Sequence, residues 1–143
     1  MKYVLLVSHG TFAKGLHSVL EMMAGKDRND VLSTSLTNGM SVETFSGIVK
    51  DVVKDIKEDD EIILLADLIG GSPLTSTLDV LSKKGLLKNT MAFGGANLSL
   101  ALNAILLKDT LGKDEFKEML ITESRESIQE LKLNDCSDDE DDI

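Results

Sequence analysis

Apolar residues along this chain fall into two patterns, short continuous runs and longer segments with helical spacing. Three runs rich in bulky or β-branched residues, at positions 2–7, 61–66 and 90–93, each end in a polar or glycine-containing turn. They predict three strands that are buried on both faces of a sheet. The run at 30–36 is interrupted by serines and predicts a fourth strand nearer to a sheet edge.

Between these runs, apolar residues recur every three or four positions, which is the spacing of amphipathic helices. The predicted apolar stripes are Phe12, Leu16, Val19, Leu20 and Met23; Phe45, Ile48, Val49, Val52 and Ile56; Leu74, Leu78 and Leu81; the segment 97–108; and Phe116, Leu120, Ile128 and Leu131. Ser41 and Ser72 are expected to cap two of the helices, with Pro73 at a first helical position. Gly25 and Gly85 are expected to end two of them.

The alternation of strands and helices predicts an α/β fold in three layers, α/β/α, around a central, mainly parallel sheet of four strands. Residues 131–133 are a candidate for an additional short strand. We expect one domain over residues 1–133, followed by an acidic and disordered tail over residues 134–143.

Charge separates this tail from the rest of the chain. With 25 acidic and 15 basic residues, the 143-residue chain has a formal charge of −10. Six of the acids lie in the last ten residues, so the remaining chain carries a charge of about −4. The surplus of lysine and arginine that drives nucleic-acid binding is missing, and nucleic acid is therefore excluded as a partner.

Cysteine usage and hydropathy indicate the compartment. The single cysteine, Cys136, excludes an intramolecular disulfide and a cysteine cluster, and the two distant histidines do not suggest a zinc site. The first apolar run is too short for a signal peptide, and no run reaches the length of a membrane span. We therefore expect a soluble, cytoplasmic protein without a metal or other cofactor.

Candidate chemistry is concentrated in the turns that follow the strands, where open parallel sheets bind ligands. His9 follows the first strand, and Asp67 follows the third. An exposed imidazole oriented by a carboxylate at one ring nitrogen can act as a nucleophile through the other. Each residue is also compatible with a structural role, in which its side chain merely stabilises its own turn.

A glycine pair runs directly into a predicted helix. Gly70, Gly71 and Ser72 offer backbone N–H groups and a hydroxyl at a helix N-terminus, which favours an anion such as a phosphoryl group. Ser72 is equally compatible with an ordinary cap. The nucleotide-binding glycine motifs and the G-x-S-x-G motif of serine hydrolases are absent. Asn97 is expected to cap the fourth helix, and His17 is expected to be a surface residue on the polar side of the first helix.

Three motifs together resemble a known family. They are Ser8-His9-Gly10, Asp67-Leu68-Ile69-Gly70-Gly71-Ser72-Pro73 and Gly94-Gly95-Ala96-Asn97-Leu98. Over residues 1–133 the chain resembles the IIA component of the mannose/fructose/sorbose class of the sugar phosphotransferase system (PTS). The resemblance implies that His9 is phosphorylated by the carrier protein HPr and passes the phosphoryl group to a IIB component. It also implies that Asp67 orients the imidazole and that Ser72 lies by the phosphate.

The resemblance further implies a homodimer in which an antiparallel strand is exchanged, with residues 131–133 as the candidate strand. The membrane IIC and IID components would be indirect partners, and IIB is expected to be a separate polypeptide. The chain departs from the family at Ser99, where proline is usual. A phosphotransfer subunit of a dihydroxyacetone kinase and a regulatory module sensed by its phosphorylation state remain as alternatives. A flavodoxin-like domain is disfavoured because few aromatic residues are available to stack on a flavin.

Overall fold

A computed structural model describes residues 1–134 of the chain. Its elements, in order along the chain, are β1 (Lys2–His9), α1 (Phe12–Ala24), β2 (Val31–Leu36), α2 (Val42–Val52), β3 (Glu61–Ala66), α3 (Ser72–Lys83), β4 (Thr90–Phe93), α4 (Leu98–Leu107) and α5 (Lys113–Glu126). The predicted three-layer α/β/α fold with a central parallel sheet is confirmed.

The four strands form one parallel sheet in the order β2-β1-β3-β4. Leu5 in β1 is in register with Leu32 in β2 and with Leu64 in β3. The chain moves outward from β1 to β2 in one direction and from β3 to β4 in the other. A crevice at the carboxyl ends of β1 and β3 is therefore expected, because this is where the strand order reverses.

The alternation of side chains along the central strands divides the core into two clusters. Val4 and Leu6 of β1 pack with residues of α1, α4 and α5, whereas Leu5 and Val7 pack with residues of α2 and α3. Each of these four side chains is at most 1% exposed. Full burial of one such side chain stabilises the fold by about 2 kcal/mol, so the two central strands hold the helical layers in place.

Several predicted boundaries and burial patterns were wrong. β4 is an edge strand, and its Ala92 is exposed. Helix α2 ends at Val52, so Ile56 is buried from a turn outside the helix. Helix α5 ends at Glu126, and residues 128–134 have no regular secondary structure in this single chain. The additional strand predicted at residues 131–133 is absent here, and its exchange between subunits stays a prediction.

Helix α1 buries a narrower stripe than its sequence suggested. Ala13, Leu16 and Leu20 face the core, whereas Phe12 and Met23, which were expected there, are 46% and 54% exposed. The predicted acidic tail from residue 135 onward, including Cys136, lies outside the described residues. Within residues 1–134, every helix is too short or too polar to cross a membrane.

Candidate active site

His9 and Asp67 meet at the carboxyl ends of the two central strands. His9 is the last residue of β1, paired in register with Leu36, so it lies within the strand and not in the turn that was predicted. Asp67 follows β3 directly. Because β1 and β3 are neighbours, the topology brings together two residues that are 58 positions apart in sequence.

The Asp67 carboxylate accepts three hydrogen bonds. Its Oδ2 atom accepts one from His9 Nδ1 at 2.9 Å and one from the backbone N–H of His9 at 3.0 Å. Its Oδ1 atom accepts one from the backbone N–H of Leu68 at 3.0 Å. Since an ionised carboxylate only accepts hydrogen bonds, this contact assigns the proton of a neutral imidazole to Nδ1 and leaves the lone pair on Nε2. The His9 side chain is 45% exposed and that of Asp67 is 20% exposed.

Ser8 stabilises the turn after His9. Its buried hydroxyl accepts a hydrogen bond from the backbone N–H of Ala13 at 2.6 Å, so a side chain at the end of β1 caps α1. Gly10 adopts a positive φ of 58° and donates its N–H to the Leu36 carbonyl at 2.9 Å. This role of Ser8 was not predicted from the sequence. A hydroxyl five residues before Ala13 is not a recognised capping spacing.

Gly71 packs against the His9 ring. A Cβ atom at position 71 would lie 2.7 Å from His9 Cε1 and 3.4 Å from Nε2, so only glycine leaves the imidazole in place. The backbone of Gly71 is itself ordinary, with φ −84° and ψ 162°. Glycine is needed at position 71 for space. At position 70, where a Cβ would meet nothing within 4 Å, it is needed for the positive φ of 83°.

The start of α3 differs from the predicted cap. Gly71 occupies the cap position, and Ser72 is the first helical residue, with Pro73 following it. The Ser72 hydroxyl is exposed and makes no hydrogen bond to another part of residues 1–134. The backbone N–H groups of Gly70, Gly71 and Ser72 also have no acceptor within that range. Three unpaired N–H groups near the imidazole can bind an anion.

The loop after β4 closes the other side of the site. Gly95 donates its N–H to the Asp67 carbonyl at 3.1 Å, and Ala96 donates to the Ala66 carbonyl at 2.9 Å. Asn97 caps α4 as predicted, with Oδ1 accepting the Leu100 N–H at 2.8 Å. The 94–97 segment is therefore a support for the end of β3.

Ser99 lies in the first turn of α4 and makes no hydrogen bond to His9 or Asp67. Its hydroxyl donates to the carbonyl of Glu123 in α5 at 3.4 Å. The departure from the family's usual proline thus concerns the contact between α4 and α5.

His17 is separate from this site and is not a plain surface residue. It is half-buried between α1 and β2, and its Nδ1 is hydrogen-bonded to the Ser33 hydroxyl at 2.6 Å. Burial lowers the pKa of His17, the nearby Lys14 lowers it further, and Glu21 acts in the opposite direction. Its contact with Ser33 makes it part of the packing of α1 on β2.

A family model and a curated relative indicate the same kind of protein. A family model described as PTS system fructose IIA component matches residues 3–121. The chain is 25% identical over 126 residues to the PTS system fructose-specific EIIA component of Bacillus subtilis, covering 88% of this chain and 84% of that protein.

Solved structures give the same result. A phosphotransferase system component EIIA from Streptococcus agalactiae is 31% identical, with a TM-score of 0.75 over 91% of this chain and 97% of that one. The mannose/sorbose specific IIA subunit from Enterococcus faecalis shares the fold, with a TM-score of 0.77 at 21% identity, over 96% of this chain and 100% of that one.

Proposed function

This chain belongs to the family of PTS fructose-type IIA components, which serve phosphotransfer in sugar uptake, and we propose that it is a phosphohistidine carrier. His9 accepts a phosphoryl group from phosphorylated HPr and passes it to a IIB component. The membrane IIC and IID components then use it without contacting this chain. Because the family model is that of a sugar system, we prefer this function to a role in a dihydroxyacetone kinase.

One observation carries the proposal, the contact of Asp67 Oδ2 with His9 Nδ1 at 2.9 Å. In the neutral imidazole this contact assigns the proton to Nδ1, so Nε2 of the partly exposed ring is the nucleophile. In the transfer, the Nε2 lone pair forms a bond to phosphorus while the phosphorus–nitrogen bond of the donor breaks. The donor imidazole leaves with the electron pair, and no net proton transfer is needed. Asp67 stabilises the positive charge that the His9 ring acquires.

The phosphoryl oxygens need hydrogen-bond donors, and we assign this role to Gly70, Gly71 and Ser72. Their unpaired backbone N–H groups and the free Ser72 hydroxyl lie at the start of α3, where the helix dipole favours negative charge. The closeness of Gly71 to the imidazole supports the assignment. The same donors serve both directions of transfer, because the phosphoryl group occupies one place on Nε2.

We also propose that the protein is a homodimer that exchanges the segment 131–133. Strand β4 has a free edge within the described residues, and beside it Phe93 and Ile121 line an open groove. Ile128, Leu131 and Leu133 are 80%, 58% and 88% exposed in the single chain. If that segment of one subunit pairs with β4 of the other, it would cover the groove beside β4 and bury its own apolar side chains. Light scattering tests the dimer, with Leu131→Asp as the variant expected to be monomeric.

The phosphorylation site is tested by labelling from phosphoenolpyruvate with the general phosphotransferase enzyme and HPr. We expect His9→Ala to abolish labelling. His17→Ala should leave it intact, since the His17 ring is hydrogen-bonded to Ser33 and not to Asp67. Label that survives the loss of His9 would refute the mechanism. Addition of candidate IIB proteins then identifies the acceptor. With the membrane components also added, the sugar that removes the label from the protein identifies the sugar system.

A further inference from the structure

We propose that Gly94, in the loop after β4, is a positioning residue that determines where the segment 69–72 lies beside His9. The inference rests on the proposed phosphotransfer function, in which backbone N–H groups of this segment hold the phosphoryl oxygens. Gly94 acts through its contact with Ile69, the first residue of the segment.

The backbone of Ile69 lies directly against Gly94. A Cβ atom at position 94 would lie 2.8 Å from the backbone nitrogen of Ile69 and 3.2 Å from its Cα, and it would overlap the side-chain atom Cγ1. Real Cβ contacts are essentially never shorter than 3.0 Å, so a side chain at position 94 must displace its neighbour. Gly94 does not have a positive φ, which is the conformation that favours glycine. Glycine is therefore required at position 94 for space.

Gly94 is held in place by the sheet. It directly follows β4, whose last residue, Phe93, is in register with Leu65 of β3. The two residues after Gly94 donate their N–H groups to carbonyls at the end of β3, at 3.1 and 2.9 Å. Gly94 thus lies between two fixed points and has little freedom to move away from Ile69.

The segment that contains Ile69 is held less firmly. Within the described part of the chain, the N–H of Ile69 donates to no backbone acceptor. The side chains of Leu68 and Ile69 are 58% and 80% exposed, so neither anchors the segment in the core. When a side chain is added at position 94, this segment is therefore the part that yields.

A displaced Ile69 carries the phosphoryl-binding donors with it. To lengthen a contact of 2.8 Å to the ordinary 3.4 Å, the Ile69 nitrogen must move by about 0.6 Å. Gly70 and Gly71 follow directly, and Gly71 already packs against the His9 ring. Hydrogen bonds from N–H groups tolerate a spread of only about 0.5 Å in donor–acceptor distance. The shift is therefore large enough to weaken the hydrogen bonds to the phosphoryl oxygens.

The displaced donors act on the phosphoryl group during its transfer and not on the surface of the partner. In the full chain, Gly94→Ala is therefore expected to slow phosphorylation of His9 at saturating phosphorylated HPr by about tenfold to a hundredfold. KM is expected to change by less than about threefold. Quench-flow labelling measures both quantities, and wild-type labelling in Gly94→Ala would overturn the inference.

A second pair of variants separates the backbone contact from the side-chain contact. Ile69→Ala removes the exposed Cγ1 atom, and its labelling at saturation is expected to stay near the wild-type rate. The double variant Gly94→Ala/Ile69→Ala keeps the 2.8 Å approach to the backbone nitrogen, so it should be as slow as Gly94→Ala. Recovery of the wild-type rate in the double variant would overturn the inference. Because the closest contact is removed there, the double variant also provides the test if Gly94→Ala does not fold.

Backbone amide signals give a readout that a mere loss of stability does not produce. In ¹H–¹⁵N spectra of the full chain, Gly94→Ala is expected to shift the signals of Gly70, Gly71 and Ser72 while the centre of β1 keeps its signals. Unshifted signals of these three residues would contradict the role of Gly94. Absence of label on wild-type His9 would instead refute the proposed function.

Gly112→Ala is the matched control for these measurements. Like Gly94, Gly112 precedes a helix without a positive φ, here −65°, but a Cβ at Gly112 would meet nothing within 4 Å. The next residue, Lys113, lines a cavity with Lys2 at the start of β1, on the edge of the sheet opposite to His9. The control is expected to leave the labelling rate and the three amide signals unchanged.

Discussion

Gly71→Ala separates the stability of this protein from its reactivity. The added Cβ would lie 2.7 Å from His9 Cε1, whereas ordinary contact begins near 3.4 Å. The ring must therefore move by at least about 0.7 Å, which disturbs its 2.9 Å hydrogen bond to Asp67. A misplacement of about 1 Å at a reacting group typically costs about a hundredfold in rate. We expect phosphorylation of His9 to slow by about that factor.

The same substitution is not expected to destabilise the fold. The φ and ψ of Gly71 are −84° and 162°, which alanine adopts without strain. Alanine at such a position gains about 0.5 kcal/mol because the unfolded chain loses freedom. Displacement of the exposed His9 ring offsets part of this gain, so the free energy of unfolding changes by less than about 1 kcal/mol.

Quench-flow labelling with phosphorylated HPr measures the rate, and urea unfolding measures the stability. Gly47→Ala is the matched control, because a Cβ at Gly47 meets nothing within 4 Å and Gly47 lies in α2. It is expected to stabilise the fold by up to about 1 kcal/mol and to leave labelling unchanged. Wild-type labelling in Gly71→Ala would refute the packing argument. A large loss of stability would show that Gly71 has a structural role instead.

Four further predictions concern charged and titratable groups. Asp67→Ala is expected to slow labelling by up to about ten-thousandfold, as loss of an orienting carboxylate does in a Ser-His-Asp triad, while the far-UV circular dichroism stays unchanged. An unaltered rate would reduce the carboxylate to a turn residue. Lys108→Met is expected to cost about 2 kcal/mol in urea unfolding, the loss of a hydrogen bond to a charged group, because Asp30 keeps Arg28 but loses Lys108. No loss would contradict the role of this pair. The hydrogen bond from Arg28 lowers the pKa of Asp30. The contribution of the Asp30 carboxylate to the free energy of unfolding is therefore present above about pH 4 and is lost as the pH falls through the lowered pKa. Because burial lowers the pKa of His17, stability should fall as the pH drops below about 6.5, and His17→Gln should remove that slope.

Local patterns in the sequence predicted most of the fold, because the spacing of apolar residues in each segment reflects which of its faces are buried. β3 was predicted with its observed bounds, Glu61–Ala66, since both faces of that strand are covered. β4 was predicted as fully buried, although it lies at an edge. The edge position of β2 was predicted from its serines, whereas the uninterrupted apolar run of β4 resembles a central strand, and its edge position depends on the order of the strands.

The candidate site could be predicted from chemistry but not from contacts. His9 and Asp67 are reactive residue types placed at strand ends, so the rule for open sheets was sufficient to select them. The fit of Gly71 against His9 depends on the register of β1 on β3 and on the path of the intervening loop. The capping role of Ser8 similarly depends on the tight turn at Gly10.

Asp67 and Gly71 are expected to act on His9 as one unit, which a double-mutant cycle can test. Asp67 holds the ring through Nδ1 and also accepts two backbone N–H groups, so its carboxylate is not free to follow a displaced ring. Gly71 leaves the space that this one orientation requires. If Gly71→Ala acts by disturbing the bond to Asp67, it should have little further effect in the Asp67→Ala background. Labelling rates of the two single variants and the double variant give the coupling, and fully additive losses would show that Gly71 acts independently of the carboxylate.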